Sequence, residues 1–288
     1  EALLDYRTPE IASAMGHGQR MYYDCMERRG YLKQLTDWPS MQAHVQRWTT
    51  DSNAPIGYVL SMESADPILD VGDAERWWEH GLRVVGLSHY GEGVYAHGTG
   101  SAGDGLTPRG FELLKRFETL GMIVDVTHLT DEGFWQVMNR YNGRVMASHH
   151  NCRALVPGQR QLTDDQIRAL IDRGAVIGAA FDSWMLHPDY EFQVTDNSLV
   201  RLSDVVDHID HICQLAGNAE HVAIGTDLDG GYGREQSPSD LDTIADVQQT
   251  VPIFQQRGYK DIEIANILHG NWLRFFRECW SGKPSSMA

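Results

Sequence analysis

Histidine and carboxylate side chains follow five of the six apolar runs in this sequence. In chain order they are Glu63, His89, His128, His149 and Asp227. Imidazole nitrogens and carboxylate oxygens are ligands that zinc, manganese and iron prefer, and the cysteines are too sparse for a structural thiolate site. The pattern therefore predicts a catalytic site for a divalent metal, provided that the fold brings these side chains together.

Two of these positions, and one arginine, suggest individual roles. Two-metal hydrolases need a negatively charged group between the ions; no lysine stands at a strand end for carboxylation, so Glu63 is the predicted bridging ligand. Asp227 is the predicted general acid and base, because an aspartate beside a metal can take up and return a proton of water. Arg153, four residues beyond His149, is placed to bind a substrate carboxylate through its guanidinium.

The apolar runs themselves predict buried parallel strands. They cover residues 56–62, 82–87, 122–126, 144–147, 175–180 and 222–225, and each is nearly continuously hydrophobic. Capped helical stretches separate them; one begins with a capping box of Thr163 and Gln166 and ends at Gly174. Alternating strands and helices predict a parallel α/β fold, in which functional side chains gather at the carboxyl ends of the strands.

The expected fold is a (β/α)₈ barrel of the TIM type, with residues 1–288 forming one domain. Within it we predict a helical lead-in at 1–50, the strand-helix repeats at 56–230 and C-terminal helices at 240–288. A barrel of this type has eight strands. The two strands still to be found lie either within the first fifty residues or before residue 1, and the helical character of residues 8–50 favours the second possibility.

Charge and cysteine content narrow the range of partners and compartments. The chain has 24 Lys and Arg against 40 Asp and Glu, a net charge of −16, which argues against binding to nucleic acid or to anionic membranes. No apolar tract approaches the roughly 20 residues that span a bilayer. Four cysteines without a C-x-x-C spacing favour a reducing compartment, and we expect the protein in the cytoplasm.

A glycine-rich segment, Gly98 to Gly103, matches the dinucleotide fingerprint G-x-G-x-x-G. The preceding strand ends near His89, well before the first glycine, so the segment cannot form the strand-to-helix turn that binds a pyrophosphate. We predict instead a mobile loop over the site, with Tyr90 and Tyr95 as lid contacts.

The ordered motifs resemble those of the membrane (renal) dipeptidase family of the amidohydrolase superfamily, especially its bacterial members. The resemblance runs from about Tyr58 to Phe276 and rests on Ser-Met-Glu63, Leu-Ser-His89, Val-Asp-Val-Thr-His128, Ala-Ser-His149-His-Asn-Cys-Arg153, Gly-Thr-Asp227-Leu-Asp-Gly and Gly270-Asn-Trp-Leu-Arg274.

The resemblance implies a role for each site residue. Glu63 would bridge two zinc ions, and His128 and His149 would complete one zinc site. His89 would polarise the scissile carbonyl and contact the substrate, Arg153 would bind the substrate carboxylate, and Asp227 would transfer the proton of the attacking water.

The family resemblance also implies a (β/α)₈ barrel, a homodimer and the hydrolysis of dipeptides, often with a D-residue at the C-terminal position. Two departures stand out. The H-x-D pair that completes the second zinc site in the family occurs nowhere in the 288 residues, and Tyr90-Gly-Glu-Gly replaces the asparagine that commonly follows soon after the histidine corresponding to His89.

Together these features predict a zinc-dependent dipeptidase in which a metal-held hydroxide attacks the peptide carbonyl. One alternative is another metal-dependent amidohydrolase, such as an N-acyl amino-acid deacylase or a lactonase. The other is a binding protein with an incomplete metal site, since the chain supplies Glu63, His128 and His149 without an H-x-D pair.

Overall fold

The computed structural model describes residues 6–191, 193–228 and 230–281. Strands and helices alternate along this part of the chain. The strands are β1 Leu32–Gln34, β2 Ile56–Tyr58, β3 Leu60–Met62, β4 Leu82–Gly86, β5 Ile123–Asp125, β6 Val145–Met146, β7 Ile177–Ala179 and β8 Val222–Ile224. The α-helices are α1 Pro9–Arg28, α2 Trp38–Thr50, α3 Asp73–Glu79, α4 Pro108–Leu120, α5 Asp131–Arg140, α6 Asp164–Asp172, α7 Ser183–Leu186, α8 Leu202–Ala216, α9 Thr250–Gln256, α10 Asp261–Ala265 and α11 Asn271–Ser281.

The strand pairs for which a register is resolved are parallel, which confirms the predicted α/β class. β1 pairs with β2, β3 to β6 form a four-stranded sheet in chain order, and β7 pairs with β8. Among the described residues, the strands thus group into three sheets, and an isolated parallel bridge joins Ala147, directly after β6, to Ile177 of β7. The expected barrel is therefore not evident from the strand pairing itself.

The strand count differs from the prediction in two places. The apolar run 56–62 forms two strands, β2 and β3, and the register shifts between Leu60 and Ser61 where β3 pairs with β4. The predicted helical lead-in is interrupted by β1, which has the sequence Leu-Lys-Gln and only one apolar residue. A strand this short and polar contains no hydrophobic run, so the sequence pattern does not indicate it. The strand forms because β2 pairs with it and supplies its backbone hydrogen bonds.

The chain divides into two compact units. The first comprises residues 1–145 and 276–288, and the second comprises residues 146–275. In the first unit, β4 and β5 are buried together with Leu113 and Phe117 of α4. In the second, all three residues of β7 are buried, as are Ile167 and Leu170 of α6. The single domain over residues 1–288 stays a prediction.

Threonine caps begin three of the helices, including the predicted start at Thr163. The hydroxyl groups of Thr8, Thr107 and Thr163 each accept a hydrogen bond from the backbone at the start of α1, α4 and α6. Gly121 ends α4 in the left-handed conformation, with φ of 77°, which costs glycine nothing because it lacks a Cβ. Local signals therefore place the helices accurately in this chain.

The glycine-rich segment is tied to its surroundings in the structure. The Gly98 N–H donates to the Gly91 carbonyl (2.9 Å) and the Thr99 N–H to the His128 carbonyl (3.1 Å). Tyr95 is fully buried and its hydroxyl donates to the carbonyl of Ile68, so the prediction that it is a lid contact is wrong. Its aromatic ring lies in the core, because removing that large apolar area from water is more favourable in free energy than exposing it over a cleft. The mobility of the loop stays a prediction.

None of the helices that the structure describes combines the length and the apolar character needed to cross a bilayer.

Candidate active site

The carboxyl ends of β3, β4 and β5 carry three of the predicted site residues. Glu63 directly follows β3, and His89 and His128 each stand three residues beyond the ends of β4 and β5. Because neighbouring parallel strands end at the same edge of their sheet, these side chains share that edge. The first unit alone thus brings together Glu63, His89 and His128, as their positions after the predicted strands indicate.

Glu63 and His128 are in direct contact. The Nε2 atom of His128 lies 2.9 Å from Oε1 of Glu63. His128 is almost completely buried, whereas the Glu63 side chain is 45% exposed, so one member of the pair faces solvent. An imidazole nitrogen and a carboxylate oxygen at this separation are two donor atoms suited to the same divalent cation.

His128 has an uncommon backbone conformation that its neighbours fix. Its φ is 66°, in the left-handed region that costs a residue with a Cβ about 1–3 kcal/mol. The Asp125 carboxylate accepts hydrogen bonds from the Thr127 N–H (3.1 Å) and hydroxyl (2.7 Å) in the same turn. The Thr99 N–H also donates to the His128 carbonyl. The surrounding structure thus holds the strained backbone that directs His128 towards Glu63.

Three aromatic rings pack together beside this pair. The ring centroids of His89 and His128 lie 4.5 Å apart. The Tyr90 ring meets both histidines edge to face, at 4.7 Å from His89 and 4.6 Å from His128. Tyr90, which departs from the family pattern, therefore lies against two of the predicted site residues.

The second unit carries the other predicted polar residues. His149 follows β6 and Asp227 follows β8, and the His149 Nε2 atom lies 3.8 Å from Oδ2 of Asp227. The other ring nitrogen of His149, Nδ1, is 2.8 Å from the Ser148 hydroxyl oxygen. Asp227, like His128, has a left-handed backbone, with φ of 59°.

Close backbone approach explains two glycines near His149. A Cβ on Gly178 or on Gly225 would stand 2.0 Å from the Ser148 carbonyl oxygen, far inside van der Waals contact. Only glycine allows the ends of β7 and β8 to approach this carbonyl so closely. The two glycines therefore help to set the position of His149.

Arg153 uses its guanidinium within its own loop. Its Nε donates to the Gln161 carbonyl (2.9 Å) and its Nη2 to the Gln159 carbonyl (3.2 Å). These bonds brace the loop that follows His149. The predicted role of Arg153 in binding a substrate carboxylate stays a prediction.

A comparison with known proteins now identifies the family. The sequence model of the membrane dipeptidase family, peptidase family M19, matches residues 32–284. The chain belongs to the membrane dipeptidase family. This confirms the resemblance and the predicted enzyme class, a metallopeptidase of the dipeptidase type. The metal that this class implies is matched by the Glu63 and His128 donors described above.

Individual relatives agree with this assignment. An uncharacterized protein in the pqqA 5′ region of Klebsiella pneumoniae is 32% identical over 215 residues, which are 72% of this chain and 76% of that protein. The dipeptidase tcpJ of Claviceps purpurea is 28% identical over 201 residues, 69% of this chain but only 45% of tcpJ. The match therefore spans less than half of that named dipeptidase.

A solved structure has the same fold. It is a metallo peptidase from Rhodobacter sphaeroides, liganded with a phosphinate mimic of the dipeptide L-Ala-D-Ala. The two structures agree with a TM-score of 0.79 at 23% identity, over 95% of this chain and 76% of the other. This likeness confirms the α/β fold of the chain.

Two polar residues near the site escaped the sequence analysis. Arg160 is only 4% exposed and its Nη2 donates to the His149 carbonyl (3.1 Å). It lies eleven residues beyond His149, so only the fold of the loop brings it back. Asp182 was visible after the fifth apolar run but was not selected as a site residue; it is buried at the carboxyl end of β7.

The environment of Asp182 sets it apart from the exposed carboxylates. Burial raises the pKa of Asp182 to about 6. Hydrogen bonds from Gln236 and Trp184 lower this pKa, and the negative charge of Asp227 raises it further, but burial has the largest effect. Asp182 and Asp227 each directly follow one partner of the Phe181–Thr226 backbone hydrogen bond, so the two carboxylates stand at neighbouring strand ends. A signal for Asp182 was present in the sequence, namely an acidic residue directly after a buried strand.

Proposed function

We propose that this protein is a metal-dependent dipeptidase that hydrolyses the peptide bond of dipeptides. The observation that carries the proposal is the 2.9 Å approach of His128 Nε2 to Glu63 Oε1 at neighbouring strand ends, in a chain of the membrane dipeptidase family. The L-Ala-D-Ala mimic bound by the Rhodobacter sphaeroides protein supports dipeptides as the substrate class.

The proposed metal is zinc, held by Glu63, His128 and His149. Each of these residues offers one ligand atom, a carboxylate oxygen or an imidazole nitrogen, and this donor set suits zinc. A bound zinc ion supplies Lewis-acid chemistry at the scissile carbonyl. We further propose two zinc ions per protein, to both of which Glu63 would supply carboxylate oxygens. Since no H-x-D pair is present in the 288 residues, this chain supplies only part of the second ion's ligands.

The proposed reaction uses the protein's own groups to move protons. Asp227 accepts a proton from the attacking water, whose oxygen bonds to the carbonyl carbon. His89 polarises the carbonyl oxygen and stabilises the charge that develops on it. As the carbon–nitrogen bond breaks, Asp227 returns the proton to the leaving amine, so the products are a carboxylic acid and a free amine.

Two arginines are candidates for the substrate carboxylate. We propose Arg153, on the loop after His149, because a guanidinium can bind a carboxylate through two parallel hydrogen bonds. Arg160 is the second candidate, because its buried guanidinium touches the His149 backbone. Separate substitutions distinguish the two.

We also propose a homodimer located in the cytoplasm. Support for a reducing compartment comes from the thiols: Cys25, Cys152, Cys213 and Cys279 are all free. Light scattering of the purified protein tests the dimer, and fractionation of the source cells tests the compartment.

The decisive experiment combines metal analysis with hydrolysis assays on the purified protein. We expect zinc to co-purify, a chelator to abolish hydrolysis of L-Ala-D-Ala, and added zinc to restore it. A panel of free dipeptides, N-acylated amino acids and lactones then separates a dipeptidase from the other amidohydrolases. A metal-free sample that hydrolyses dipeptides as fast as the metal-loaded one would overturn the proposal.

A further inference from the structure

The loops after β7 and β8 begin side by side. The Phe181 N–H donates to the Thr226 carbonyl across 3.0 Å, at the point where both strands end. The next residue of each chain segment is an aspartate, Asp182 in one and Asp227 in the other. The proposed mechanism uses Asp227 and assigns no role to Asp182.

Asp182 is bound by donors from two directions. The Nε2 atom of Gln236 lies 2.7 Å from its Oδ1 and 2.8 Å from its Oδ2. The indole Nε1–H of Trp184 donates to Oδ2 across 2.7 Å. Asp182 and Gln236 are each only 6% exposed. Hydrogen bonds to a buried carboxylate are stronger than those between neutral groups. Losing them leaves a buried charge without partners, which is unfavourable in free energy.

Gln236 lies nine residues beyond Asp227, in the loop that follows β8. Neighbouring contacts fasten the same part of this loop: the Asn197 side chain donates to the Arg234 carbonyl (2.8 Å), and the Tyr190 hydroxyl to the Glu235 carbonyl (3.3 Å). The loop is therefore held at one end by β8 and at the other by residues that follow β7. The bond through Asp182 reaches back to the strand end beside Asp227, and the Tyr232 hydroxyl, earlier in the same loop, donates to the Thr226 carbonyl (3.0 Å) at that end.

We propose that Asp182 is a positioning residue that clamps the loop after β8 through Gln236 and thereby holds the Asp227 carboxylate in place for proton transfer. The catalytic part of this inference rests on the proposed function. Fixing the far end of a loop reduces the conformations open to the residue at its start. Proton transfer requires heavy atoms within hydrogen-bond reach, and a displacement of about 1 Å can cost up to about 100-fold in rate.

A reciprocal exchange tests the clamp. In D182N the new amide nitrogen faces a donor, from Gln236 or from Trp184, unless the Gln236 side-chain amide turns over to accept from it, so Q236E is the decisive single variant. In Q236E two carboxylates face each other at pH 8. The double variant D182N/Q236E restores a bond between positions 182 and 236 with its direction reversed: the amide at 182 donates to the carboxylate at 236, and the amide oxygen still accepts from Trp184.

For kinetics we expect Q236E to lose roughly 10- to 100-fold in kcat with KM changed less than about threefold. The double variant should recover to within about threefold of the wild type. D165N, which removes a carboxylate charge from an exposed site on α6, is the matched control and should leave kcat unchanged. Circular dichroism and melting curves show which variants fold.

Hydrogen exchange tests the clamp independently of activity. Amides at 230–237 should exchange about tenfold faster in Q236E and at the wild-type rate in the double variant. Q236E with wild-type kcat and exchange, or a folded double variant as impaired as Q236E, would overturn the inference. If a single variant fails to fold, the double variant decides. If the wild type hydrolyses no dipeptide, the proposed function fails, while exchange still decides the clamp.

Discussion

His128 places its Nε2 atom 2.9 Å from Oε1 of Glu63 while its own backbone stays in the left-handed region, with φ of 66°. The Asp125 carboxylate bonds the Thr127 N–H and hydroxyl one residue earlier, and the Thr99 N–H bonds the His128 carbonyl. Strain of this kind persists only where the surrounding contacts determine it, and it clusters at functional sites. The pair is therefore the part of the proposed metal site whose construction is most fully defined.

Removing either member of the pair should abolish metal binding. We expect E63Q and H128A to lose bound zinc and to lower kcat/KM by roughly 1,000-fold, since a metal supplies several kcal/mol of transition-state stabilisation and each 1.4 kcal/mol is tenfold in rate. Elemental analysis and dipeptide hydrolysis measure the two effects. E112Q, at an exposed position of α4, is the matched control. Full zinc content in both site variants would contradict the proposed ligands.

Neutralising Asp227 should slow the chemical step. D227N keeps the size of the side chain but cannot take up the water proton, so kcat should fall by roughly 100- to 10,000-fold with little change in KM. Steady-state kinetics on a free dipeptide measure this split. D172N, at an exposed position of α6, should behave as the wild type. A wild-type kcat in D227N would assign the proton transfer to another group.

Comparing a free dipeptide with its C-terminal amide distinguishes which arginine binds the substrate carboxylate. If Arg153 does so, R153M should raise KM for a free dipeptide by roughly 10- to 100-fold, the range for a lost charged hydrogen bond, and leave KM for the C-terminal amide unchanged. R168M is the control, at a side chain that is half exposed on α6. If R160M shows the selective loss instead, the role belongs to Arg160.

The buried His208 should make stability depend on pH. Burial lowers its pKa from 6.5 to about 4, so below pH 6.5 the unfolded chain binds a proton that the folded protein does not. The free energy of unfolding should therefore fall as pH drops from 6.5 towards 4, and by about 2 kcal/mol at pH 5 from this residue.

Urea unfolding of the wild type and H208N measures this contribution. The new amide oxygen can replace Nδ1 as acceptor of the Cys152 N–H, which lies 3.0 Å from that atom. Between pH 7 and pH 5 the variant should lose about 2 kcal/mol less than the wild type, whereas between pH 8 and pH 7 the two should change alike. Equal losses between pH 7 and pH 5 would show that His208 does not titrate as described.

Local patterns in the sequence predicted much of this protein. Hydroxyl caps and terminal glycines located the helices, because capping depends on a few consecutive residues. The apolar runs located most strands, and the residues directly after them included Glu63 and His128, which the structure brings into contact. The ordered motifs also predicted the family that the comparison with known proteins confirms.

Those local patterns did not predict contacts between segments that lie far apart in the sequence. β1 has one apolar residue and exists because β2 pairs with it. The sequence pattern predicts that Tyr95 lies in an exposed loop. In the structure Tyr95 is buried, and its hydroxyl donates to the carbonyl of Ile68, which stands 27 residues earlier in the chain.

The sequence by itself determined which residue types stand at the strand ends, since periodicity and capping are local properties of the chain. Tertiary structure alone decided which of them meet. Arg160 returns to the His149 carbonyl through the fold of its loop, and Gln236 reaches Asp182 across 54 residues of chain. Such contacts depend on how loops close over packed strands, and no spacing along the chain encodes that closure.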